Sequence, residues 1–170
     1  MKPIILLNKL GLLNGGSVLD VGARDCSTSS EFVDKGFIVD AIDIKDAPAS
    51  CSQKGINFRK VSFEDFESDK KYNVIIARHV LPFLSISIEA SLEKLFKLLE
   101  KDGVLYFSIF GDKDGWCNEP NVLTSDIGAV REMVKKHSEI SYESEEFYDG
   151  PTYAGDVKKW HIITMVVVKK

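Results

Sequence analysis

The sequence predicts an α/β fold in which a mostly parallel sheet of seven strands, with an antiparallel C-terminal strand, carries helices on both faces. Apolar segments of strand length alternate with segments of helical periodicity through five successive units, which is typical of parallel sheets. The apolar run Tyr72–Ala77 suits a central strand that is covered on both faces. No helical pattern separates the last two predicted strands, Glu139–Tyr148 and His161–Val168, so we expect an antiparallel pair at one edge.

The first predicted elements are an N-terminal helical segment and a strand–helix unit. In residues 1–14, apolar side chains recur at every third position until Gly15-Gly16 ends the pattern. Strand one is predicted at Ser17–Val21. The helix Ser29–Lys35 follows, and Gly36 after it suits a left-handed C-cap.

Strands two to four are predicted in the middle of the chain. Strand two covers Phe37–Ile42. The stretch Lys45–Gly55 is rich in Asp, Ala, Pro and Ser, which predicts a loop with at most one helical turn. Strand three covers Ile56–Val61, and strand four is the apolar run Tyr72–Ala77.

The clearest helix is Ile86–Lys101, because its apolar residues form one stripe and Gly103 stands just after its end. Strand five is predicted at Val104–Phe110. A loop rich in Gly and Asp, Gly111–Asn121, then precedes a helix at Ser125–His137, which leads to the final strand pair.

The composition limits the classes of function. The 170 residues are expected to form a single domain, residues 1–170, large enough to bury a core without disulfides or metal. The net charge of −4 disfavours a nucleic-acid partner. No apolar stretch reaches the ~18 residues that a membrane span needs, so no membrane partner is expected.

The cysteines carry information about the compartment. Cys26, Cys51 and Cys117 are odd in number and far apart, and none has a spacing typical of metal ligands. Free thiols in a reducing compartment are therefore expected. The sequence thus predicts a cytoplasmic protein that holds no metal.

The most informative segment is Ser17–Arg24, in which an apolar strand ends at Asp20 and Gly22 follows. A strand that stops at a glycine turn before a helix presents N–H groups and a positive dipole end to an anionic ligand. Strand two leads to Asp43, which stands 21 residues after Gly22. This is about the separation that places a carboxylate on ribose hydroxyls. The two features together indicate a nucleoside-bearing cofactor.

Four segments in this order resemble those of class I S-adenosylmethionine-dependent methyltransferases. They are V-L-D-V-G (18–22), I-V-D-A-I-D-I (38–44), Y-N-V-I-I-A-R-H-V-L-P-F-L (72–84) and K-D-G-V-L-Y-F-S (101–108). The resemblance covers about residues 15–168 and implies a Rossmann-like fold. The short length and the segment Y-N-V-I-I-A-R-H-V-L, which contains strand four, are similar to small-molecule methyltransferases, including the tellurite-resistance type. The resemblance therefore implies methyl transfer from S-adenosyl-L-methionine to a small-molecule acceptor, by a monomer or homodimer.

The same resemblance implies roles for individual residues. Asp20 would meet the α-amino group of the cofactor, and the backbone at Gly22 would approach it closely. Asp43 would bind both ribose hydroxyls, Ile44 would flank the adenine, and the Ala77 backbone would pass near the sulfonium. The full set of expected cofactor-binding residues is Asp20, Gly22, Ala23, Arg24, Asp43, Ile44, Ser62, Phe63 and Ala77.

The chain departs from the family pattern at three positions. Arg24 and Cys26 stand where the glycine loop usually has two further glycines, and their side chains would border the cofactor. Arg24 either pairs with the methionine carboxylate or blocks the site. Ser62, followed by Phe63, stands where an Asp usually meets the adenine.

Two alternatives remain open at the level of the sequence. The three departures favour a degenerate methyltransferase-fold module that binds or regulates with weak or no catalysis. The glycine turn and Asp43 favour a nicotinamide-dependent oxidoreductase, but the chain lacks G-x-G-x-x-G, which makes this the weaker alternative.

The substrate side is predicted at the end of strand four, where Arg78 and His79 stand. His79 is either a general base or a packed, hydrogen-bonded side chain, and the second interpretation is favoured. Because positioning alone can supply much of the rate of methyl transfer, the catalytic residue is left unassigned.

Two groups of aromatic residues have open interpretations. Trp116 and Cys117 lie in the loop after strand five, which is either an anchored surface loop or a lid over the acceptor. Phe147, Tyr148 and Tyr153, before the last strand, are either packing residues or a pocket wall.

Overall fold

The computed structural model describes residues 1–152 and 154–170. The strands are β1 (Ser17–Val21), β2 (Ile38–Asp43), β3 (Asn57–Lys60), β4 (Tyr72–Arg78), β5 (Leu99–Gly111), β6 (Thr124–Ser125), β7 (Ser138–Pro151) and β8 (Val157–Lys169). The helices are α1 (Pro3–Lys9), α2 (Ser27–Val33), α3 (Ala49–Gln53), α4 (Ile88–Leu98) and α5 (Ile127–Lys135), with a 3-10 turn at Leu81–Phe83.

The strands form one sheet in the order β3-β2-β1-β4-β5-β8-β7, with β6 paired to β5 outside this path. Strands β1 to β5 run parallel. Strand β8 is antiparallel to both β5 and β7. The predicted mostly parallel sheet with an antiparallel C-terminal strand is therefore confirmed. The difference is the two-residue strand β6, which the sequence analysis placed outside any strand.

The longest predicted helix is shorter in the structure. Helix α4 begins after Ser87, whose hydroxyl accepts the Ala90 N–H at 3.1 Å. It ends at Leu98, because the backbone of Leu99 is extended and starts β5. The predicted end at Lys101 is thus wrong, since pairing with β4 competes with helix continuation and takes residues 99–101 into the sheet.

Two apolar layers cover the sheet. One contains the inner face of α4 and residues from α5, and it is centred on Leu92, Leu95 and Phe107. The other contains α1 and α2 and includes Leu7 and Phe32. The carboxyl ends of β1, β2 and β4 therefore open between two packed layers, where ligands of open α/β sheets bind.

A disulfide joins Cys26 to Cys51, with 5.8 Å between their Cα atoms, and both residues are fully buried. The expectation of free thiols is therefore wrong for these two residues, and Cys117 is the free cysteine among the described residues. The disulfide could not be predicted from the spacing of the cysteines along the sequence. The start of α2 and helix α3 come together because β1 pairs with β2, which is a tertiary contact. Within the described residues, no helix has the length and apolar character needed to cross a membrane.

Candidate active site

A cleft of about 980 Å³ lies at the carboxyl ends of β1, β2 and β4. Its walls come from four segments, 20–28 without Cys26, 42–45, 61–65 and 78–85 without residues 81 and 82. These segments contain most of the residues that the sequence predicted as a site. The volume lies near the upper end of the range for small-molecule sites, roughly 300–1,000 Å³.

The glycine turn after β1 is shaped by two constraints at Gly22. Its φ of +73° is a conformation that side chains disfavour. A Cβ built there would lie 2.8 Å from Cγ2 of Val80, on the opposite wall. The N–H groups of Gly22 and Ala23 both donate to the Ile42 carbonyl, at 2.9 and 3.0 Å. The turn is thereby held against the end of β2.

Arg24 and Cys26 keep the backbone shape of a glycine loop. Both are left-handed, with φ values of 52° and 58°. The Arg24 N–H donates to Oδ2 of Asp43 at 2.9 Å, and Arg24 lines the cleft. The Cys26 side chain instead turns into the core and bonds to Cys51. The expectation that the Cys26 side chain borders the cofactor is therefore wrong.

Asp43 holds a fixed carboxylate at the end of β2. Its Oδ2 accepts the Arg24 N–H, and its Oδ1 accepts the Lys45 N–H at 2.9 Å. Each carboxylate oxygen can accept a further hydrogen bond from a ligand in the cleft. Ile44 is 67% exposed beside it, an apolar side chain in the cleft wall.

Asp20 is a buried carboxylate, 3% exposed, that also lines the cleft. Its Oδ2 accepts the hydroxyl of Ser29, on α2, at 2.6 Å. Burial raises the pKa of Asp20 to about 6, and the hydrogen bond from Ser29 opposes that rise only in part. A cationic ligand group would favour the ionised form, because an opposite charge nearby lowers the pKa of an acid.

Ser62 and Phe63 line the cleft, but their side chains have other contacts. The Ser62 hydroxyl donates to Oδ2 of Asp65 at 2.8 Å and accepts the Asp65 N–H at 3.1 Å. Phe63 is 3% exposed and packs in the core. The two residues therefore shape this wall mainly through the turn that they form.

A contact that the sequence analysis missed joins two walls of the cleft. Oε1 of Glu64 accepts both the N–H and the hydroxyl of Ser85, at 2.7 and 2.9 Å. These hydrogen bonds lower the pKa of Glu64 against the effect of its partial burial. No local pattern identifies this pair, because its members lie 21 residues apart on different loops.

The wall at the end of β4 begins at Arg78, the exposed last residue of the strand, and continues through His79 and Val80. Ala77 is fully buried inside β4 and is not among the lining residues, and the expected approach of its backbone to the sulfonium stays a prediction. The predicted strand ends at Ala77, whereas β4 continues to Arg78, because Arg78 pairs with Ser108 of β5.

His79 is held by Ser108. Its N–H donates to Oγ of Ser108 at 3.0 Å, and the same hydroxyl lies 3.1 Å from Nδ1. Burial, with a smaller effect from the Arg78 charge, lowers the pKa of His79 to about 4. The imidazole is therefore neutral at physiological pH. It is a hydrogen-bonded side chain, as the favoured interpretation expected, and it also borders the cleft.

The loop after β5 is anchored by Trp116. The indole packs against Trp160 and Phe110, with ring centroids 5.7 and 5.9 Å away, and the Lys158 ammonium lies 3.8 Å from its centroid. Trp116 and Cys117 do not line the cleft. The anchored-loop interpretation therefore fits better than a lid. Phe83 lies in the cleft wall, is 53% exposed, and packs edge-on against Trp116 with 6.2 Å between the ring centroids.

The aromatic residues of the β7–β8 hairpin lie outside the cleft. Phe147 stacks on His161, with 4.2 Å between the ring centroids, and Tyr148 stacks on Trp160 with 6.3 Å between the centroids. Both rings therefore pack on a neighbouring side chain while remaining about half exposed, and Tyr153 lies outside the described residues. Among the residues that the structure describes, no group of three His, Cys, Asp or Glu side chains is arranged to hold a metal ion.

The strand order and the glycine turn between two carboxylates define the fold of class I S-adenosylmethionine-dependent methyltransferases. The chain belongs to the methyltransferase-domain family, whose model matches residues 3–149. S-adenosylmethionine is the cofactor of this class, and the protein is accordingly a methyltransferase.

Solved structures have the same fold. TehB from Haemophilus influenzae has a TM-score of 0.77 at 16% identity, over 98% of this chain and 62% of TehB. The N-methyltransferase NodS from Bradyrhizobium japonicum WM9, in complex with S-adenosylhomocysteine, has a TM-score of 0.71 at 14% identity, over 97% of this chain and 84% of NodS. The Burkholderia thailandensis 1,6-didemethyltoxoflavin-N1-methyltransferase, with bound 1,6-didemethyltoxoflavin and S-adenosylhomocysteine, has a TM-score of 0.69 at 17% identity, over 98% and 76% of the two chains. By sequence, no curated protein matches the chain.

Proposed function

We propose that this protein methylates a small molecule in the cleft between the turn after β1 and the end of β4. The observation that carries the proposal is the pair of carboxylates, Asp20 and Asp43, on adjacent parallel strands. One is buried and favours a cation, and the other is oriented by two backbone N–H groups. These are the two acceptors that the α-amino group and the ribose of S-adenosylmethionine require.

The remaining cofactor contacts follow from this placement. The backbone of Gly22 and Ala23 borders the methionine part, and Ile44 supplies an apolar surface for the adenine. The turn of Ser62 and Phe63 closes the adenine end. Arg24 has a guanidinium suited to the methionine carboxylate, and charge-assisted pairs of this kind are strong.

The acceptor would lie against Arg78, His79 and Phe83. When bound, S-adenosylmethionine supplies a methyl group that its sulfonium already activates. The contribution of the chain is to hold the acceptor in line with that methyl group, an effect that can account for much of the rate. Neutral His79 either receives a proton from the acceptor or orients it. The cleft volume and the net charge of −4 support a small acceptor over a nucleic acid.

A second candidate is a module that binds the cofactor without turning it over. The engaged hydroxyl of Ser62, in place of the expected carboxylate, favours this alternative. It predicts binding of S-adenosylmethionine but no methylated product from any pool of small molecules.

Titration calorimetry with S-adenosylhomocysteine and with NAD tests the proposal. We expect saturable binding of S-adenosylhomocysteine, loss of that binding in the double variant Asp20→Asn/Asp43→Ala, and no binding of NAD. Asp46→Ala is a matched control, because the Asp46 side chain is 85% exposed and does not line the cleft. Equal binding by the double variant and the wild type would refute the assignment.

A further inference from the structure

The Cys26–Cys51 disulfide lies directly behind the cleft wall. Cys26 stands between Asp25 and Ser27, which both line the cleft, while its own side chain is fully buried. Cys51 is also fully buried, in α3, and packs in the same apolar layer. The bond therefore ties the loop after β1 to a helix that follows β2.

The backbone of Cys26 is left-handed, with φ 58° and ψ 17°, at the N-cap of α2. Its N–H donates to the Ala23 carbonyl at 2.8 Å, and its carbonyl accepts the Ser30 N–H and hydroxyl, each at 2.8 Å. A residue other than glycine disfavours this conformation, because its Cβ crowds the following carbonyl. These hydrogen bonds hold the backbone of Cys26 in this shape, and the disulfide holds its side chain.

We propose that the disulfide positions the loop after β1, residues 22–26, for cofactor binding. It holds Cys26 in the left-handed conformation that a glycine would adopt without strain. The bond fixes the Cβ direction of Cys26 against α3, so the backbone cannot leave the left-handed region without moving a second buried residue. The closed ring, with a sequence separation of 25 residues, also contains Asp43. The proposal rests on the proposed function, and it makes Cys26 and Cys51 positioning residues for cofactor binding.

The chemistry of the bond is a thiol–disulfide exchange. The two cysteine thiols react with a small-molecule disulfide, which accepts two electrons and two protons and leaves as two thiols, while the Sγ–Sγ bond forms. A dithiol reductant reverses the reaction and leaves as its cyclic disulfide. Because both cysteines are fully buried, the reductant reaches them only through local opening.

Two variants separate the backbone effect from the loss of the bond. Cys26→Gly and Cys26→Ala both lack the disulfide and the sulfur, but only glycine accepts the left-handed conformation without strain. In calorimetric titrations with S-adenosylhomocysteine, we expect Cys26→Gly to bind nearly as tightly as the oxidised wild type. We expect Cys26→Ala and the reduced wild type to bind about tenfold more weakly.

A readout without ligand keeps the inference testable if a variant is unstable. Amide hydrogen exchange in residues 22–30 should be faster in Cys26→Ala than in Cys26→Gly, and faster in the reduced than in the oxidised wild type. Near-UV circular dichroism at the assay temperature shows that each sample is folded. Thiol titration in denaturant should give one thiol in the oxidised wild type and three after reduction.

Cys117→Ser is the control, since Cys117 lies outside the bond and should leave the effect of reduction unchanged. Equal affinities of the glycine and alanine variants, with equal exchange rates, would overturn the positioning role. The same holds if the folded wild type binds equally before and after reduction, or if three thiols titrate after treatment with the oxidant. If the oxidised wild type binds no S-adenosylhomocysteine, the proposed function fails, and the role in cofactor binding fails with it.

Discussion

Replacing Asp20 by Asn tests the electrostatics of the site in the ligand-free protein. Burial raises the pKa of Asp20 from its ordinary value of 3.8 to about 6. Between these values the folded state binds the proton and the unfolded state does not, so stability falls as the pH rises through this window. At about 1.36 kcal/mol per pKa unit, the full effect is about 3 kcal/mol. The Asn variant has no such penalty, because it carries no ionisable group at this position.

The measurement is urea denaturation of the wild type and Asp20→Asn at intervals from pH 4 to pH 8. The stability of the variant relative to the wild type should increase by about 2.4 kcal/mol between pH 4 and pH 7, because part of the full effect lies below pH 4, and should change little above pH 7. Any constant cost of placing a buried amide beside Ser29 cancels in this comparison. A relative stability that does not change with pH would refute the reasoning.

Asp25→Asn is the matched control, a charge removal in the same loop. Hydrogen bonds from Ser27 lower the pKa of Asp25, so its carboxylate adds stability above the unfolded pKa and loses it as the pH falls. The charge of Asp25 raises the pKa of Asp20 much less than burial does, so the variant should gain far less relative stability between pH 5 and pH 7 than Asp20→Asn. An identical profile for both variants would mean that the effect does not arise from the burial of Asp20.

The same carboxylate should make cofactor binding depend on pH. If Asp20 must be ionised to accept the α-amino group, the affinity for S-adenosylhomocysteine falls about tenfold for each pH unit below 6 and levels off near pH 7. Titration calorimetry in two buffers of different ionisation enthalpy measures the released proton. Asp20→Asn should bind weakly at every pH, and a wild-type affinity that is unchanged at pH 5 would contradict the role of Asp20.

Three further predictions concern other parts of the chain. Asp43→Ala should weaken S-adenosylhomocysteine binding by about 1.5–3 kcal/mol for each ribose hydrogen bond that is lost. It should also lower stability, because two backbone N–H groups lose their acceptor. Calorimetry that fails to distinguish Asp43→Ala from Asp46→Ala would contradict the assignment. Tyr72→Phe should lower the free energy of unfolding by about 1.5–3 kcal/mol, because it removes the 2.7 Å hydrogen bond from the Tyr72 hydroxyl to the buried Asp40 of β2. Ligand affinity should not change, since Tyr72 starts β4 and the cleft lies at the other end of that strand. Urea denaturation and calorimetry measure the two quantities, and a loss of affinity alone would argue against this prediction. His79 should titrate with a midpoint near pH 4 in NMR spectra of its ring protons, and a midpoint near 6.5 would show that the imidazole is not buried as described.

Much of the architecture was predictable because its signals are local. The apolar run of β4 and the lack of a helical pattern between β7 and β8 each follow from a stretch of about ten residues. Boundaries were less predictable. Leu99 could continue a helix by its own propensity, yet β5 begins there because β4 offers Tyr72 as a pairing partner. Propensity is a weak prior that tertiary pairing overrides.

The candidate site divides in the same way. The sequence placed Asp20, Gly22 and Asp43 together, because the carboxyl ends of neighbouring parallel strands meet at one edge of a sheet. It could not place the Cys26 side chain, which shares a loop with the predicted site residues but turns away from the cleft.

The sequence was sufficient to predict the succession of strands and helices along the chain and the polar residues at the strand ends, because periodicity and turn residues act over short distances. The tertiary structure alone decided the Cys26–Cys51 bond, the contact of Glu64 with Ser85, and the burial that raises the pKa of Asp20. Each of these depends on residues that are distant along the chain. They meet only after the layers have packed on the sheet, and solvent exclusion, which sets the charge of a carboxyl group, is a property of that packing.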